Sequence, residues 1–500
     1  MRFTNSVNNE KEEAGVKYSK WNKLFINGVW REGSSRQRYI NQNPYHGDAL
    51  AEIKLANRHD IDEAYESARR MQKEWEQTPA PEKASVIEKA VAIIQRRREE
   101  LVQLLIEEAG STHSKANVEL DIATAFMREA ATYPFRMHGE MVPSVIPGKE
   151  NRLYRSPVGV VGVIAPWNFP LHLAMRSIVS AVATGNGVVL KPDLQTFISG
   201  GLVIADIFEE AGLPKGLFNV VVADLGEIGD YFVEHPIPGM ISFTGSTVAG
   251  RHIASVAGQH LKKTALELGG NNAFIVLDDA DVKQAVSAAV FGKFMHQGQI
   301  CMAVNRLIVD RKKYVEFIDV FKEKVLQLKA GDPADPETVI GPLINRNQVN
   351  KILGLIEKSV SQGARVVLEG EVRGNLMSPF ILADVTNDMP IAQSEIFGPV
   401  AVIIPVENEE EAIRIANDSP YGLSGSVFSG SWERGLQVAQ KIRTGMIHVN
   451  DQSINDEPHI PFGGEKGSGL GRLNGKWSLE EFTTIKWISI QHQPRSYPFS

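Results

Sequence analysis

The segment FMHQGQICMAVNR, residues 294–306, holds the only cysteine of the chain, Cys301. A thiol in this setting has two uses. It can pack as a small inert side chain, as lone cysteines commonly do, or it can attack a carbonyl if it gains access and thiolate character. Attack sets demands on the rest of the chain. It creates a negative oxygen that needs an aimed donor, and Asn168 in GVIAPWNFPL, confined between Pro166 and Pro170, offers an uncharged amide with little conformational freedom. The adduct must then be released, which needs a base for water. Glu267 in TALELGGNNAFIVL would suit if partial burial raised its pKa. The plain structural readings are a packed thiol, a structural loop and a salt-bridged glutamate.

Other segments carry weaker signals. Lys191 in LKPDLQT stands at a strand end, facing either solvent or a ligand. SFTGSTVAG sets Gly245, Ser246 and Gly250 around a helix start whose free N–H groups could face a phosphate, although it is neither a GxGxxG fingerprint nor a P-loop. In SEIFGPV, Glu395 precedes a glycine-proline turn that it could simply cap. The late stretch NDQSINDEPHIPFGGEKGSGLG, with Asn450, Asp451 and Phe462, is either a site-lining loop or a surface crossover. No metal site is expected, because the 12 histidines form neither HxxxH nor HExxH and one cysteine excludes a multi-thiolate centre. A serine hydrolase is disfavoured by the lack of a GxSxG elbow.

These residues need elements to position them. At 500 residues the chain predicts two or three domains, since single cores stop growing near about 250 residues. Apolar residues at 43% and charged residues at 23% describe an ordinary folded protein, and a net charge of -7 gives no reason to expect a nucleic-acid surface. A lone cysteine forms no intramolecular disulfide, which fits a reducing compartment. With no secretory or transit pattern and no apolar run of about 18 residues, a cytoplasmic protein without membrane contact is expected. The first 20 residues read as polar and loose.

Residues 81–108 predict one packed helix with Ile87, Ala90, Ile94, Leu101 and Leu105 on one face and Gly110 as its stop. Between residues 154 and 277, VGVVGVIAP, NGVVLKP, LFNVVVA, MISFTG and NNAFIVL read as strands, with helices over 196–211, 226–235 and 247–261. Apolar strands joined this way predict a parallel sheet covered on both faces, with ligands beyond the strand carboxyl ends. A second α/β series follows, with helices over 282–295, 317–328 and 409–416 and strands in NRLIVD, ARVVLEG, PVAVIIPV and GMIHVN. The closing TTIKWISIQ reads as a strand without an obvious neighbour, one that could complete a sheet of another subunit.

Taken in order, PWNFP, LKP, FTGS, LELGG, GQIC, EIFGPV and PFGG resemble the aldehyde dehydrogenase superfamily over residues 24–491, in appearance nearest to benzaldehyde and vanillin dehydrogenases. The resemblance implies an α/β fold with a Rossmann-like coenzyme domain (20–135, 157–267 and a return segment at 463–479), a catalytic domain (268–462) and a small β oligomerisation element (136–156 and 480–500). It further implies Cys301 as nucleophile, Glu267 as general base and Asn168 as oxyanion donor. Lys191, Gly245, Ser246, Glu395, Trp167 and Phe397 fall on coenzyme-contact positions. The implied activity is oxidation of an aldehyde to the acid with NAD or NADP through a thioester on Cys301. An aromatic substrate is expected, with Trp167, Phe169, Met175, Met295 and Phe462 as candidate tunnel residues, and a homodimer or homotetramer is implied. Many NAD-preferring relatives carry a glutamate where KPDL has Leu194, so appreciable NADP use is expected, with Asp193 able to restore NAD bias if it turns inward. The alternatives are an aliphatic aldehyde, a coenzyme A-acylating enzyme, which Glu267 disfavours, and a noncatalytic structural protein.

Overall fold

The alternating strands and helices build two large sheets, and the candidate site lies where their ends meet. A computed structural model of the chain describes residues 16–499. The first sheet centres on parallel strands in the spatial order Phe218–Val220, Gly187–Lys191, Val160–Ile164, Met240–Thr244, Lys263–Glu267. Antiparallel strands Leu24–Ile26 and Val29–Arg31 extend one edge and Gly469–Leu470 the other. Chain order runs outward from Val160–Ile164 in one direction and from Met240–Thr244 in the other. The reversal therefore falls between these two neighbours, and a crevice opens beyond their carboxyl ends. Trp167 and Asn168 follow the first of them; Gly245 and Ser246 follow the second.

The second sheet has the order Arg365–Leu368, Phe380–Ala383, Val400–Val406, Val304–Asp310, Asn272–Val276, Gly425–Phe428, His448–Val449. NNAFIVL, which chain order attaches to the first series, pairs instead with Val304–Asp310 and Gly425–Phe428 of the second. Glu267 consequently ends one sheet and Asn272 begins the other, so the seam between sheets is only a few residues long. Separate apolar cores fill the two faces of this second sheet.

Several expectations need correction. The helix over 81–108 is two helices, Ala80–Arg96 and Arg98–Ala109, broken at Arg97 (φ -95°, ψ 18°). The break escapes the periodicity because the apolar face continues through it: Ile87, Ala90, Ile94, Leu101 and Leu105 are all buried. Gly110, in the left-handed region at φ 63°, ends the second helix. Residues 226–235 form two single turns, Leu225–Ile228 and Tyr231–Glu234, because Gly229 at φ 57° interrupts them. The helix Arg346–Ser361 was not anticipated, although Asn345 caps it through a bond from Gln348 N.

The closing strand Thr483–Gln491 finds its neighbour within its own chain. It pairs antiparallel with Lys149–Pro157, from Thr483 opposite Pro157 to Gln491 opposite Lys149, and Glu140–Pro143 completes a three-stranded sheet. The expectation of a loose amino terminus falls mostly on residues outside the described ones; within the described residues, Tyr18 N donates to Leu50 O at 2.8 Å and Lys17 pairs with Glu107. Among the described residues no helix is long and apolar enough to cross a membrane.

Candidate active site

Cys301 sits in a turn that is costly to fold. The helix Val282–Phe294 ends in a tight turn over Met295–Gly298, in which His296 (φ 50°) and Gln297 (φ 54°) take left-handed backbones that non-glycine residues seldom adopt. Gly298 follows at φ 73°, where a β-carbon would lie 2.5 Å from Gly398 O. Side-chain hydrogen bonds to and from other elements hold this shape. Asn272 Nδ2 donates to Cys301 O and Ala303 O, each at 2.8 Å, Gln297 Nε2 donates to Pro342 O at 2.9 Å, and Gln299 Oε1 accepts from Ile344 N at 3.0 Å. Gly270 permits the approach, since a β-carbon there would stand 2.2 Å from Cys301 O.

Asn168 reaches the same turn, donating from Nδ2 to Gln299 O at 3.0 Å. An amide has two N–H groups, so this bond orients the side chain and leaves one donor for another acceptor. The helix Pro170–Ala183 that follows is anchored by Glu119, whose Oε1 accepts from Leu171 N (2.9 Å) and His172 N (3.1 Å) at its positive end. Buried Lys115 pairs with Glu119 at 2.5 Å and covers the Phe169 ring at 4.2 Å.

Trp167, Asn168, Gly245, Ser246, Glu267, Cys301, Glu395 and Phe397 line one cavity of about 200 Å³. Gly250, Asn450, Asp451 and Phe462 of the weaker signals lie outside that lining, and of the nine residues that the resemblance gives as catalytic or coenzyme-contact positions, only Lys191 does. It occupies the buried end of Gly187–Lys191, paired in register with Ile164, and burial lowers its pKa against the pull of Asp193 and Asp224. The solvent-facing reading of this lysine is thereby excluded.

Glu267 is buried and its Oε2 has no hydrogen-bond partner. Burial pushes its carboxyl up to about 8, with Arg176 opposing. Cys301 is half-buried and opens on the cavity. Burial, then Glu395, pushes its thiol upward, again against Arg176. Glu395 accepts from Gly270 N at 3.0 Å, and burial raises its pKa to about 7.

A dinucleotide coenzyme fits the residues present. A β-carbon on Gly269 would lie 2.5 Å from Glu395 Oε2, so glycine keeps open a cradle beside an acidic acceptor suited to a ribose hydroxyl. Ser246, on the cavity lining, caps the 13-residue helix Thr247–Gln259, accepting from Ala249 N at 3.3 Å, and the start of a helix is suited to a phosphate. Phe397 is held at φ 55°, its carbonyl accepting from Gln348 Nε2 at 2.9 Å, with its ring edge-on to Trp167 at 5.4 Å between centroids.

A second cavity of about 60 Å³ adjoins Cys301 and Asn168, lined by Phe169, Leu173, Met295, Ile300, Met302, Ile454 and Phe462 with two polar members, His172 and Asp456. Phe169, Met295 and Phe462 thus stand where a substrate tunnel was expected. Trp167 belongs to the first cavity, and Met175 is fully buried in the core of the first sheet. Sequence reasoning missed Gln348 and Lys351, which the Asn345 cap and the spacing of Val349, Ile352 and Ile356 could have placed on a helix. It also missed His172, Arg176 and Asp456, for which the sequence holds no local signal.

The comparisons with known proteins agree with this architecture. The model of the Aldehyde dehydrogenase family matches residues 30–488. The chain belongs to that family. It is 52% identical to Benzaldehyde dehydrogenase YfmT of Bacillus subtilis over 96% of this chain and 99% of that protein. It is 48% identical to a vanillin dehydrogenase of Corynebacterium glutamicum, covering 94% of this chain and 97% of that one. The solved structure of an NAD-dependent benzaldehyde dehydrogenase from Corynebacterium glutamicum superposes with a TM-score of 0.88 at 44% identity, over 96% of this chain and 98% of the other.

Proposed function

We propose that the chain oxidises aromatic aldehydes to carboxylic acids with NAD, and that Cys301, Asn168 and Glu267 carry the chemistry. The single observation supporting this most is that these three residues, distant in sequence, line one cavity with Glu395, Gly245 and Ser246. The aromatic and NAD assignments rest on the relatives named as benzaldehyde and vanillin dehydrogenases and on the NAD-dependent structural neighbour.

Cys301 Sγ bonds to the aldehyde carbon, and its proton passes to Glu267, a basic acceptor in the same cavity. The free N–H of Asn168 donates to the oxygen that becomes negative. A nicotinamide coenzyme held by Glu395 and Ser246 would supply the two-electron acceptor for the hydride of the tetrahedral carbon. What remains on Cys301 is a thioester. After Glu267 has released that first proton to solvent, its carboxylate takes a proton from water as that water attacks; the carbon–sulfur bond breaks, the acid departs, and the proton on Glu267 returns to Cys301. Glu395 and Ser246 would hold the coenzyme, with Lys191 toward its adenosine end and Trp167 and Phe397 flanking the reactive end.

We assign residues 20–135, 157–267 and 463–479 to the coenzyme unit, 268–462 to the catalytic unit, and 136–156 with 480–500 to an oligomerisation element in a homodimer or homotetramer. The cytoplasm is the proposed compartment. The decisive experiment mixes enzyme, coenzyme and aldehyde and seeks an acyl mass on the Cys301 peptide. Its absence under burst conditions that still reduce coenzyme would overturn the assignment.

A further inference from the structure

The helix Pro170–Ala183 is buried along its whole length, yet it carries His172 and Arg176 inward. Arg176 is 2% exposed and meets Asp456 Oδ2 from Nη1 at 3.2 Å, while its Nε and Nη2 have no partner. Its guanidinium lies 4.5 Å from the centroid of Phe462, a tunnel residue. His172 Nε2 stands 3.7 Å from the same Asp456 oxygen, and His172 Nδ1 is buried without a partner. Asp456 Oδ1 accepts from Asn474 Nδ2 at 2.9 Å.

This cluster is a poor investment in stability. Breaking even is hard for a buried ion pair, which apolar residues of similar volume often replace without loss, and each buried orphan donor adds a cost. A carboxylate offers about four acceptor positions, and among the described residues only two donors reach Asp456 at hydrogen-bonding distance. Apart from Asn168 and Cys301, the rest of the tunnel lining is apolar: phenylalanine, leucine, isoleucine and methionine. His172 and Asp456 therefore place an imidazole nitrogen without a partner among the described residues, and a carboxylate with spare acceptor positions, on the wall of a cavity that is otherwise apolar apart from Asn168 and Cys301. Burial keeps His172 below its ordinary pKa, Asp456 opposing, so the ring is neutral and can donate or accept.

We propose that Asp456 and His172, braced by Arg176, bind a hydroxyl group on the substrate's aromatic ring, so that the preferred substrates are benzaldehydes hydroxylated away from the formyl group. The inference rests on the aromatic-aldehyde reading given above and adds the substituent. A meta or para phenolic O–H donates into a spare acceptor position of Asp456 and accepts from the N–H of His172 Nδ1. An ortho hydroxyl is engaged by its own formyl oxygen and gains less. Sites built to hydrogen-bond a hydroxyl discriminate strongly against analogues lacking it, because the buried protein groups are then left unpaired.

The test is a comparison of kcat/KM for benzaldehyde and its 3-hydroxy, 4-hydroxy, 4-methyl and 4-methoxy derivatives, at a pH where the phenols are neutral. The methyl compound matches the hydroxyl in size, and the methoxy compound matches its electron donation without its proton. In the wild type, a 3- or 4-hydroxy compound is expected to exceed both controls by about tenfold or more, the scale of one hydrogen bond to a charged acceptor. Asp456→Asn and His172→Phe should each shrink that hydroxyl-to-methyl ratio at least about threefold. Equal rates for hydroxyl and methyl compounds in the wild type would overturn the proposal while leaving aromatic-aldehyde oxidation intact. So would variants that slow every aldehyde equally, since that marks a structural role. Failure to oxidise any benzaldehyde would remove the parent reading and this one with it. If one variant does not fold, the other and the wild-type series still decide.

Discussion

At Glu267 a carboxyl has been taken out of water with no partner for Oε2, and its basicity follows from that isolation. A base held at about 8 is mostly protonated at neutral pH. Thioester hydrolysis should accordingly rise about tenfold per pH unit and level off above that value, which a single-turnover pH profile of acid release measures. Glu267→Gln should lower kcat about 10²- to 10⁴-fold and flatten the profile. The sign for stability is opposite. A carboxyl raised from 4.5 to about 8 favours the folded state most below its unfolded value, and the contribution fades as pH rises through the folded one. Denaturant titrations should show the Gln variant losing less stability than the wild type between neutral and alkaline pH.

Two short elements decide how far the backbone can be altered. After Gly187–Lys191, Asp193 caps the turn Leu194–Thr196, its Oδ1 accepting from Gln195 N at 2.9 Å, while Leu194 packs against the core of the first sheet. Asp193 is thus committed to its own turn. With no glutamate at Leu194 to repel a 2′-phosphate, NADP should support turnover within about 1000-fold of NAD, and Leu194→Glu should depress kcat/KM for NADP by about tenfold or more relative to NAD. Parallel initial-rate series with each coenzyme check this. In the turn before Cys301, Gly298→Ala would force a β-carbon onto Gly398 O from a left-handed backbone. The strain alone costs about 1–2 kcal/mol, and the displaced sulfur should lower kcat as well. Thermal melts and burst amplitudes report the two effects separately.

On the scale of the whole molecule, the three-stranded sheet is the part left uncovered. Ile485, Trp487 and Ile488 on its edge strand Thr483–Gln491 are exposed, as are Tyr154 on the central strand and Met141 and Val142 on the opposite edge. Apolar side chains gathered on an open edge strand invite pairing with another chain. For the homodimer or homotetramer proposed above, Ile485→Asp combined with Trp487→Asp should leave only monomer, read by native mass spectrometry at micromolar concentration beside the wild type. An unchanged mass would place the subunit contact elsewhere.

Local chemistry made part of this protein legible from residues alone. Apolar runs predicted the strands of both sheets because a strand buried on two faces admits little else, and PWNFP, LELGG and GQIC marked Asn168, Glu267 and Cys301 because those segments are short and chemically unusual. The break at Arg97 stayed hidden, since an unbroken apolar face carries no record of a kink. The transfer of Asn272–Val276 to the second sheet and the pairing of Thr483–Gln491 with Lys149–Pro157 depend on contacts across hundreds of residues, which no window of sequence contains. Only the tertiary structure set His172, Arg176 and Asp456 in one buried cluster beside the tunnel. Their charges look like ordinary surface residues in the sequence, and it is burial, a property of the folded whole, that makes them exceptional.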